Sequence, residues 1–465
     1  MLPRIQQVCC IGAGYVGGPT CAVMAAQCPD VQFAVVDTDA ARIAAWNSAA
    51  LPIYEPGLEE LVGRQRGRNL HFSADVEAAV RTADLVLLAV NTPLGQPGAD
   101  GLGMAPPGLR SVEACARTVA RTAKPGAIIV EKSTVLCHTG ELIARILQDH
   151  GPPDGRFQVL SNPEFLSEGT AVRDLLRPDR VIIGGQPGSE DAQEALRALY
   201  ARWVPAERIV TMGMWSAELA KLASNALLAQ RVSSINAVSA VCEAVGADIA
   251  EVARGCGMDS RIGRDFLRAS IGFGGPCLSK DLMGLVWLCE SLGLHDVATY
   301  WDQVLRMNDA QTARFVRRIV RALGPDLSGA SVAVLGFAYK AGTGDTRNTP
   351  AALVCGELLK LGACLAVYDP KVPEQQIRDY LVAGRAPATG LRVCASAYEA
   401  VAGARAVLVL TPWPEFAALD WARAHRLMAH PALAVDGHRI LDDRALELLG
   451  FSTVSVGVRS SIADS

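Results

Sequence analysis

The stretch 271–281, IGFGGPCLSKD, sets Cys277 behind three glycines and a proline, with Lys280 and Asp281 just after. Thiolates are nucleophiles, and helix starts and nearby cations favour them. Pro276 suits the first helical position, and LSKDLMGLVWLCESLG continues with helical apolar spacing. Cys277 is therefore expected in the first turn of a helix. Gly272, Gly274 and Gly275 are expected to clear an approach to it. The chain holds thirteen cysteines, and most free cysteines are buried and inert; that reading of Cys277 stands beside the nucleophile. Lys221 and Asn225 are spaced i,i+4 in the otherwise apolar AELAKLASNALLAQ, so they share one helical face. A lysine there usually snorkels to solvent; paired with an asparagine it can instead stabilise an oxyanion. Glu164 and Glu168 in NPEFLSEG are again i,i+4.

A second constellation is Gly12-Ala13-Gly14-Tyr15-Val16-Gly17, a GxGxxG between an apolar strand and a helix, with Asp37 ending the next strand. This spacing lets the backbone approach a pyrophosphate at a helix N-terminus, while the acidic residue accepts from ribose hydroxyls. Asp37 would repel a 2′-phosphate, so NAD is favoured over NADP.

The elements that must position these groups are short apolar strands alternating with helices. QVCCIG, QFAVVDTD, ADLVLLAVNTP, GAIIVEKSTV, FQVLSNPEF and DRVIIGG form the first series. They predict an α/β fold with a parallel sheet, and Asp37, Asn91, Thr92, Thr134 and Glu164 fall just past strand ends, where such sheets bind ligands. Residues 216–246 read as one long helix, capped by Ser216 and stopped by Gly246. DIAE at 248–251 reads as a capping box. From about 326 the α/β texture returns with SVAVLGFAYK, CLAVYDP, AVLVLTPW and ALAVDG. The expected plan is two Rossmann-like parallel-sheet domains joined by a long-helix central region: 1–212 binding NAD, 213–325 helical, and 326–465 a second dinucleotide-like domain.

Composition narrows the partners. Of 465 residues 50% are hydrophobic and 20% charged, with a formal net charge of −4. That implies no nucleic-acid and no membrane partner. No run approaches the about 18 apolar residues of a membrane span. The cysteine count is odd and lacks CxxC pairs, which fits reduced thiols in the cytoplasm. The seven histidines show no zinc spacing, so no metal site is expected.

Taken together, CCIGAGYVGGPTC, LPIYEPGLEE, EKSTV, LSNPEFLSEGTA, KLASNALLAQRVSSIN, GFGGPCLSKD, GFAYKAGTGDTR and YDPKVP resemble the UDP-glucose 6-dehydrogenase family, of the animal and plant type, over nearly the whole chain. The resemblance implies a four-electron, NAD-dependent oxidation of UDP-glucose to UDP-glucuronate through a cysteine thiohemiacetal and thioester. It makes Cys277 the nucleophile, gives the oxyanion to Lys221 and Asn225, and gives protons or water to Asp281, Glu164 and Thr134. It assigns cofactor contacts to the glycine loop with Tyr15 and Val16, to Asp37, Arg42, Val90, Asn91, Thr92, Pro93, Ser133, Thr134, Glu168 and Arg347. It makes 213–325 a dimerisation region and 326–465 a UDP-sugar-binding domain, with sugar-nucleotide contacts on Glu164, Phe165, Leu166, Glu168, Lys221, Asn225, Arg268, Ser270, Phe273, Gly274, Tyr339 and Lys340. Arg261 matches an arginine that reaches a neighbouring subunit's substrate, which implies a homo-oligomer, a dimer or a dimer-based hexamer. The family's DGRR reads DGHR here, so His438 replaces a substrate-contacting arginine; the expectation is either that Arg439 shifts to cover it or that affinity for the uronate or diphosphate drops. The alternatives are a dehydrogenase of GDP-mannose or a UDP-N-acetylhexosamine, a two-electron hydroxyacid-type dehydrogenase, and an inactive NAD-binding protein.

Overall fold

The computed structural model describes residues 3–93, 108–153, 155–383 and 390–460. Packing divides the chain into two compact units: Met1–Ser224 with Met283–Gly293, and Asn225–Leu282 with Leu294–Ser465.

The first unit holds eight strands: β1 Gln7–Ile11, β2 Gln32–Val36, β3 Leu70–Ser73, β4 Leu85–Leu88, β5 Ile128–Glu131, β6 Gln158–Ser161, β7 Val181–Gly185 and β8 Ile209–Gly213. Their spatial order is β3-β2-β1-β4-β5-β6-β7-β8. The order reverses beside β1, where doubly wound sheets form their ligand crevice. β4, β5 and β7 are buried along their whole length, as strands covered on both faces must be. Alternate residues feed two cores. Cys9, Ile11, Val86, Leu88 and Ile129 pack on one face; Cys10, Val35, Leu85, Leu87 and Val130 pack on the other.

One expectation fails here. β7 runs antiparallel to β6, with Leu160 opposite Gly185, whereas DRVIIGG read as another parallel strand. The connection 162–180 contains only the six-residue helix Ala171–Leu176, about 9 Å long at 1.5 Å per residue. That is too short to carry the chain back along the sheet, so β7 enters from the end where β6 leaves.

The second unit's strands are β9 Ser331–Leu335, β10 Cys364–Tyr368, β11 Leu391–Val393, β12 Ala406–Val409, β13 Leu433–Asp436 and β14 Ser452–Ser455. Their order β11-β10-β9-β12-β13-β14 repeats the plan of the first sheet, and every pair is parallel. The same unit contains the helix His295–Leu323 and most of the long helix Met214–Val245. The long helix begins before Ser216. It ends at Gly246, whose φ of +81° and bond to the Cys242 carbonyl at 2.9 Å make the left-handed stop glycine allows. Asp248 caps the next helix through Ala250 N–H at 2.7 Å.

Candidate active site

The glycine loop is built by contact. A Cβ on Gly12 (φ +111°) would stand 2.2 Å from the Ala89 carbonyl oxygen, and one on Gly17 would stand 1.9 Å from the Gly12 carbonyl oxygen. Only glycine lets β1, the turn and the helix Gly17–Gln27 close this tightly. Trp46, fully buried and stacked on Phe72 at 4.9 Å, donates its indole N–H to the Ala13 carbonyl at 2.9 Å and braces the loop. Gly14 differs: a Cβ there meets nothing within 4 Å. The helix Gly17–Gln27 has no side-chain cap and no acidic residue in its first turn. Open space over an uncapped helix start suits a pyrophosphate. Asp37 stands beside it, accepting from Ala13 N–H at 2.9 Å, Asp39 N–H at 3.0 Å and Arg42 Nη1 at 3.1 Å. Burial pushes its carboxyl upward, but those donors outweigh burial and the net shift is downward. These residues fit NAD.

The loops after β4 and β5 meet. Thr92 Oγ1 donates to the Thr134 carbonyl at 2.8 Å, and Ser133 Oγ donates to the Val90 carbonyl at 2.8 Å. Asn91 and Pro93 flank Thr92 at the surface. The loop after β6 carries Glu164, whose Oε1 lies 3.4 Å from Lys221 Nζ; both side chains are buried. Lys221 therefore does not snorkel. The Phe165 ring lies 3.8 Å from the Arg180 guanidinium and 5.2 Å from Lys221 Nζ. Leu166 N–H donates to Glu164 Oε2 at 2.8 Å, and Glu168 is buried.

In the second unit Cys277 is exposed and directly precedes the helix Leu278–Ser291. Its carbonyl accepts Asp281 N–H at 2.9 Å. It is thus the N-cap rather than a first-turn residue, because Pro276 lies one position further out. Asp281, 1% exposed, accepts from Asn225 Nδ2 at 2.5 Å and pairs with Lys280 Nζ at 2.9 Å. Lys221 and Asn225, one turn apart, thus have different carboxylate partners.

The glycines before Cys277 do not open an approach. A Cβ on Gly274 would meet the Asn348 carbonyl oxygen at 2.3 Å, and one on Gly275 the Tyr339 ring at 2.6 Å. They let the segment press against the loop after β9. Phe273 N–H is held by Asn308 Oδ1 at 2.8 Å and Ser270 N–H by Asn236 Oδ1 at 2.8 Å. Lys340 Nζ lies 5.5 Å from the Tyr339 ring, and Arg347 pairs with Asp345. Arg261 is exposed and pairs with Asp259.

His438 is largely enclosed. Its Nε2 lies 2.9 Å from the Leu410 carbonyl, and burial, with Arg268 adding repulsion, pulls its pKa down to about 4. A neutral ring there does not replace an arginine's charge. Arg439 cannot shift to supply it: with φ +55° it is pinned by Asp443 at 2.7 Å and Asp248 at 2.9 Å, and its carbonyl lies 3.5 Å from Arg268 Nη2.

Some positioning groups were not read from the sequence. Glu55, buried inside PIYEPG, accepts from Gly169 N–H at 2.7 Å and Ala171 N–H at 3.1 Å, fixing the Glu168 loop. Glu218, one turn before Lys221, accepts from His138 N–H at 2.8 Å and Gly140 N–H at 2.7 Å; burial raises its pKa against those bonds.

Comparison with known proteins decides the family. Residues 6–204 match the NAD binding domain of the UDP-glucose/GDP-mannose dehydrogenase family, 215–310 its central domain and 333–443 its UDP binding domain. The chain belongs to that family. It is an NAD-dependent dehydrogenase. It is 51% identical to UDP-glucose 6-dehydrogenase 1 of Oryza sativa subsp. japonica, over 97% of each chain. It is 49% identical to UDP-glucose 6-dehydrogenase of Drosophila melanogaster, over 97% of this chain and 96% of that one. Among solved structures, a UDP-glucose dehydrogenase from Pyrobaculum islandicum matches with TM-score 0.85 and 30% identity, over 98% of this chain and 99% of that one. A UDP-D-ManNAc dehydrogenase from Pyrococcus horikoshii matches with TM-score 0.80 and 25% identity, over 97% and 99%.

Proposed function

We propose that this member of the family oxidises UDP-glucose to UDP-glucuronate in two successive NAD-dependent steps. The observation that carries the reading is an exposed Cys277 capping a helix four residues ahead of Asp281, itself bonded to Asn225. Identity near one half to relatives named UDP-glucose 6-dehydrogenase supports the substrate.

Bound NAD supplies the hydride acceptor for both oxidations. Lys221 and Asn225 donate to the oxygen that carries negative charge as the alcohol becomes an aldehyde. Cys277 Sγ adds to the aldehyde carbon, forming a thiohemiacetal, and the carbonyl oxygen takes up a proton. After the second oxidation the same bond is a thioester. Water, held by Thr134 and deprotonated by Asp281 or Glu164, attacks the acyl carbon; the C–S bond breaks and Cys277 leaves as thiolate. Covalent capture is what gives the second oxidation a hydride to lose. Arg268, Ser270, Phe273, Gly274, Tyr339, Lys340 and His438 belong to the sugar-nucleotide contacts in this proposal, and Arg42, Glu168 and Arg347 to the cofactor.

The same proposal divides the chain at 1–212, 213–325 and 326–465, with Arg261 serving a neighbouring subunit. Leu227, Val238, Val241 and Val245 are exposed at helical spacing on the long helix, which supports burial against a second copy. No helix among the described residues is long and apolar enough to cross a membrane. None of the thirteen cysteines is in a disulfide, which supports a cytoplasmic location. The test is NADH absorbance against a panel of UDP- and GDP-sugars. Two NADH per UDP-glucose are expected. One NADH with aldehyde as end product refutes the cysteine route, and preference for a GDP-sugar refutes the substrate.

A further inference from the structure

Lys132 has no part in the chemistry above, yet its ammonium is buried in the first unit. Directly after β5 and 4% exposed, it donates to the Asn162 carbonyl at 3.0 Å and to Asn162 Oδ1 at 3.1 Å. Asn162, itself 0% exposed, is a junction. Its Nδ2 donates to the Ile182 carbonyl at 2.7 Å, its N–H to the Glu131 carbonyl at 2.8 Å, and its Oδ1 accepts from the Tyr200 hydroxyl at 2.7 Å. β5, β7 and the helix Glu190–Tyr200 thus converge on one residue, and Pro163 then delivers Glu164.

The charged and titratable groups facing Lys132 are Glu164 from the loop after β6, Glu131 from its own strand, Lys221 from the long helix, Cys10 from β1 and Cys21 from the helix Gly17–Gln27. The two carboxylates attract it and Lys221 repels it. Burial outweighs the carboxylates and pulls its pKa down to about 8. A buried charge is a costly way to make a structural clamp: a whole buried ion pair can often be replaced by apolar groups at no loss, whereas removing one partner leaves the other groups buried and uncompensated.

We infer that Lys132 is a positioning residue for the Glu164–Lys221 pair: by holding Asn162 it sets where the Glu164 carboxylate stands, and it brings a second positive charge to that carboxylate's surroundings. The inference rests on the proposed reaction only for its kinetic arm. Lys132→Met, which keeps the volume and removes the charge, and Lys132→Gln, which keeps a donor for Asn162, separate the two parts. For Lys132→Met the expected result is a kcat lower by about 10-fold or more, with KM for UDP-glucose within about 3-fold and a lower melting temperature that Lys132→Gln partly recovers. The acidic limb of its kcat profile moves to higher pH. Hydrogen exchange speeds up in peptides spanning 161–170 and not in those spanning β1 or β2. Lys132→Gln restores slow exchange while keeping the shifted limb.

A Lys132→Met enzyme with kcat within about 2-fold of wild type and an unmoved acidic limb overturns the inference. So does a joint loss of activity and melting temperature that Lys132→Gln shares with no shift of the limb. Should wild type fail to oxidise UDP-glucose, the proposed function falls. The exchange arm then decides this inference alone, and unchanged 161–170 exchange in Lys132→Met overturns it.

Discussion

Replacing Gly14 by alanine separates cofactor binding from folding. The Gly14 backbone lies outside the left-handed region, and the added methyl meets no heavy atom within 4 Å. Glycine to alanine at such a compatible position stabilises by about 0.4–1 kcal/mol, mainly by restricting the unfolded chain. For a unit of this size that is a rise of roughly 1–4 °C in Tm. The same methyl stands in the space over the uncapped start of the helix Gly17–Gln27, where a pyrophosphate must approach the backbone. Losing one hydrogen bond to a charged group costs about 1.5–3 kcal/mol, so KM for NAD rises by about 10- to 150-fold. Gly17→Ala is the opposing control. Its methyl would lie 1.9 Å from the Gly12 carbonyl oxygen and 2.9 Å from Cys10 Sγ, and relief needs backbone movement. Overpacking of this kind costs about 1–3 kcal/mol or more, so this variant melts lower or is insoluble. The assay is thermal melting with and without NAD, alongside initial rates at varied NAD. A Gly14→Ala protein that melts several degrees lower, or whose KM for NAD is unchanged, refutes the assignment of that space to the cofactor.

Three further outcomes are expected. Cys277→Ser binds NAD as wild type does but releases no uronate, a loss of about 10³-fold or more read by product chromatography; full activity would return Cys277 to the inert thiols. Asp37→Ala removes an acceptor from Ala13, Asp39 and Arg42, so KM for NAD rises about 10-fold or more and the preference over NADP narrows, measured by parallel kinetics. His438, held neutral with a pKa near 4 against 6.5 when unfolded, contributes stability that is complete above pH 6.5 and lost as pH falls toward 4. Wild type therefore loses about 2 kcal/mol more than His438→Gln between pH 7.5 and pH 5 in urea unfolding; equal losses would contradict the buried neutral ring.

The nucleotide loop was legible because its signal is local: three glycines at fixed spacing, a strand before, a helix after, and Asp37 closing the next strand. The alternation of strands and helices in both outer regions was legible for the same reason, although β3, β8, β11 and β14 are short, polar or mixed and did not stand out, and the spatial order of the strands was not read. Lys221 and Asn225 were correctly set on one helix face, but their partners come from far away, Asn225 meeting Asp281 across 56 residues. Spacing within a helix cannot reveal that one faces Glu164 and the other Asp281. The glycines at 272–275 misled because an absent side chain signals either access or close packing, and only the positions of Tyr339 and Asn348 distinguish them. Glu55 and Lys132 were illegible as buried groups, since a charged residue in a short motif is more often solvated.

The distribution of thiols carries a practical consequence. Of thirteen cysteines only Cys256, Cys277 and Cys364 are exposed. With Cys256 and Cys364 exchanged for serine, a bulky alkylating dye has one readily accessible thiol in the native protein. Dye uptake then counts competent centres, and its slowing by sugar nucleotide reports occupancy with no turnover at all.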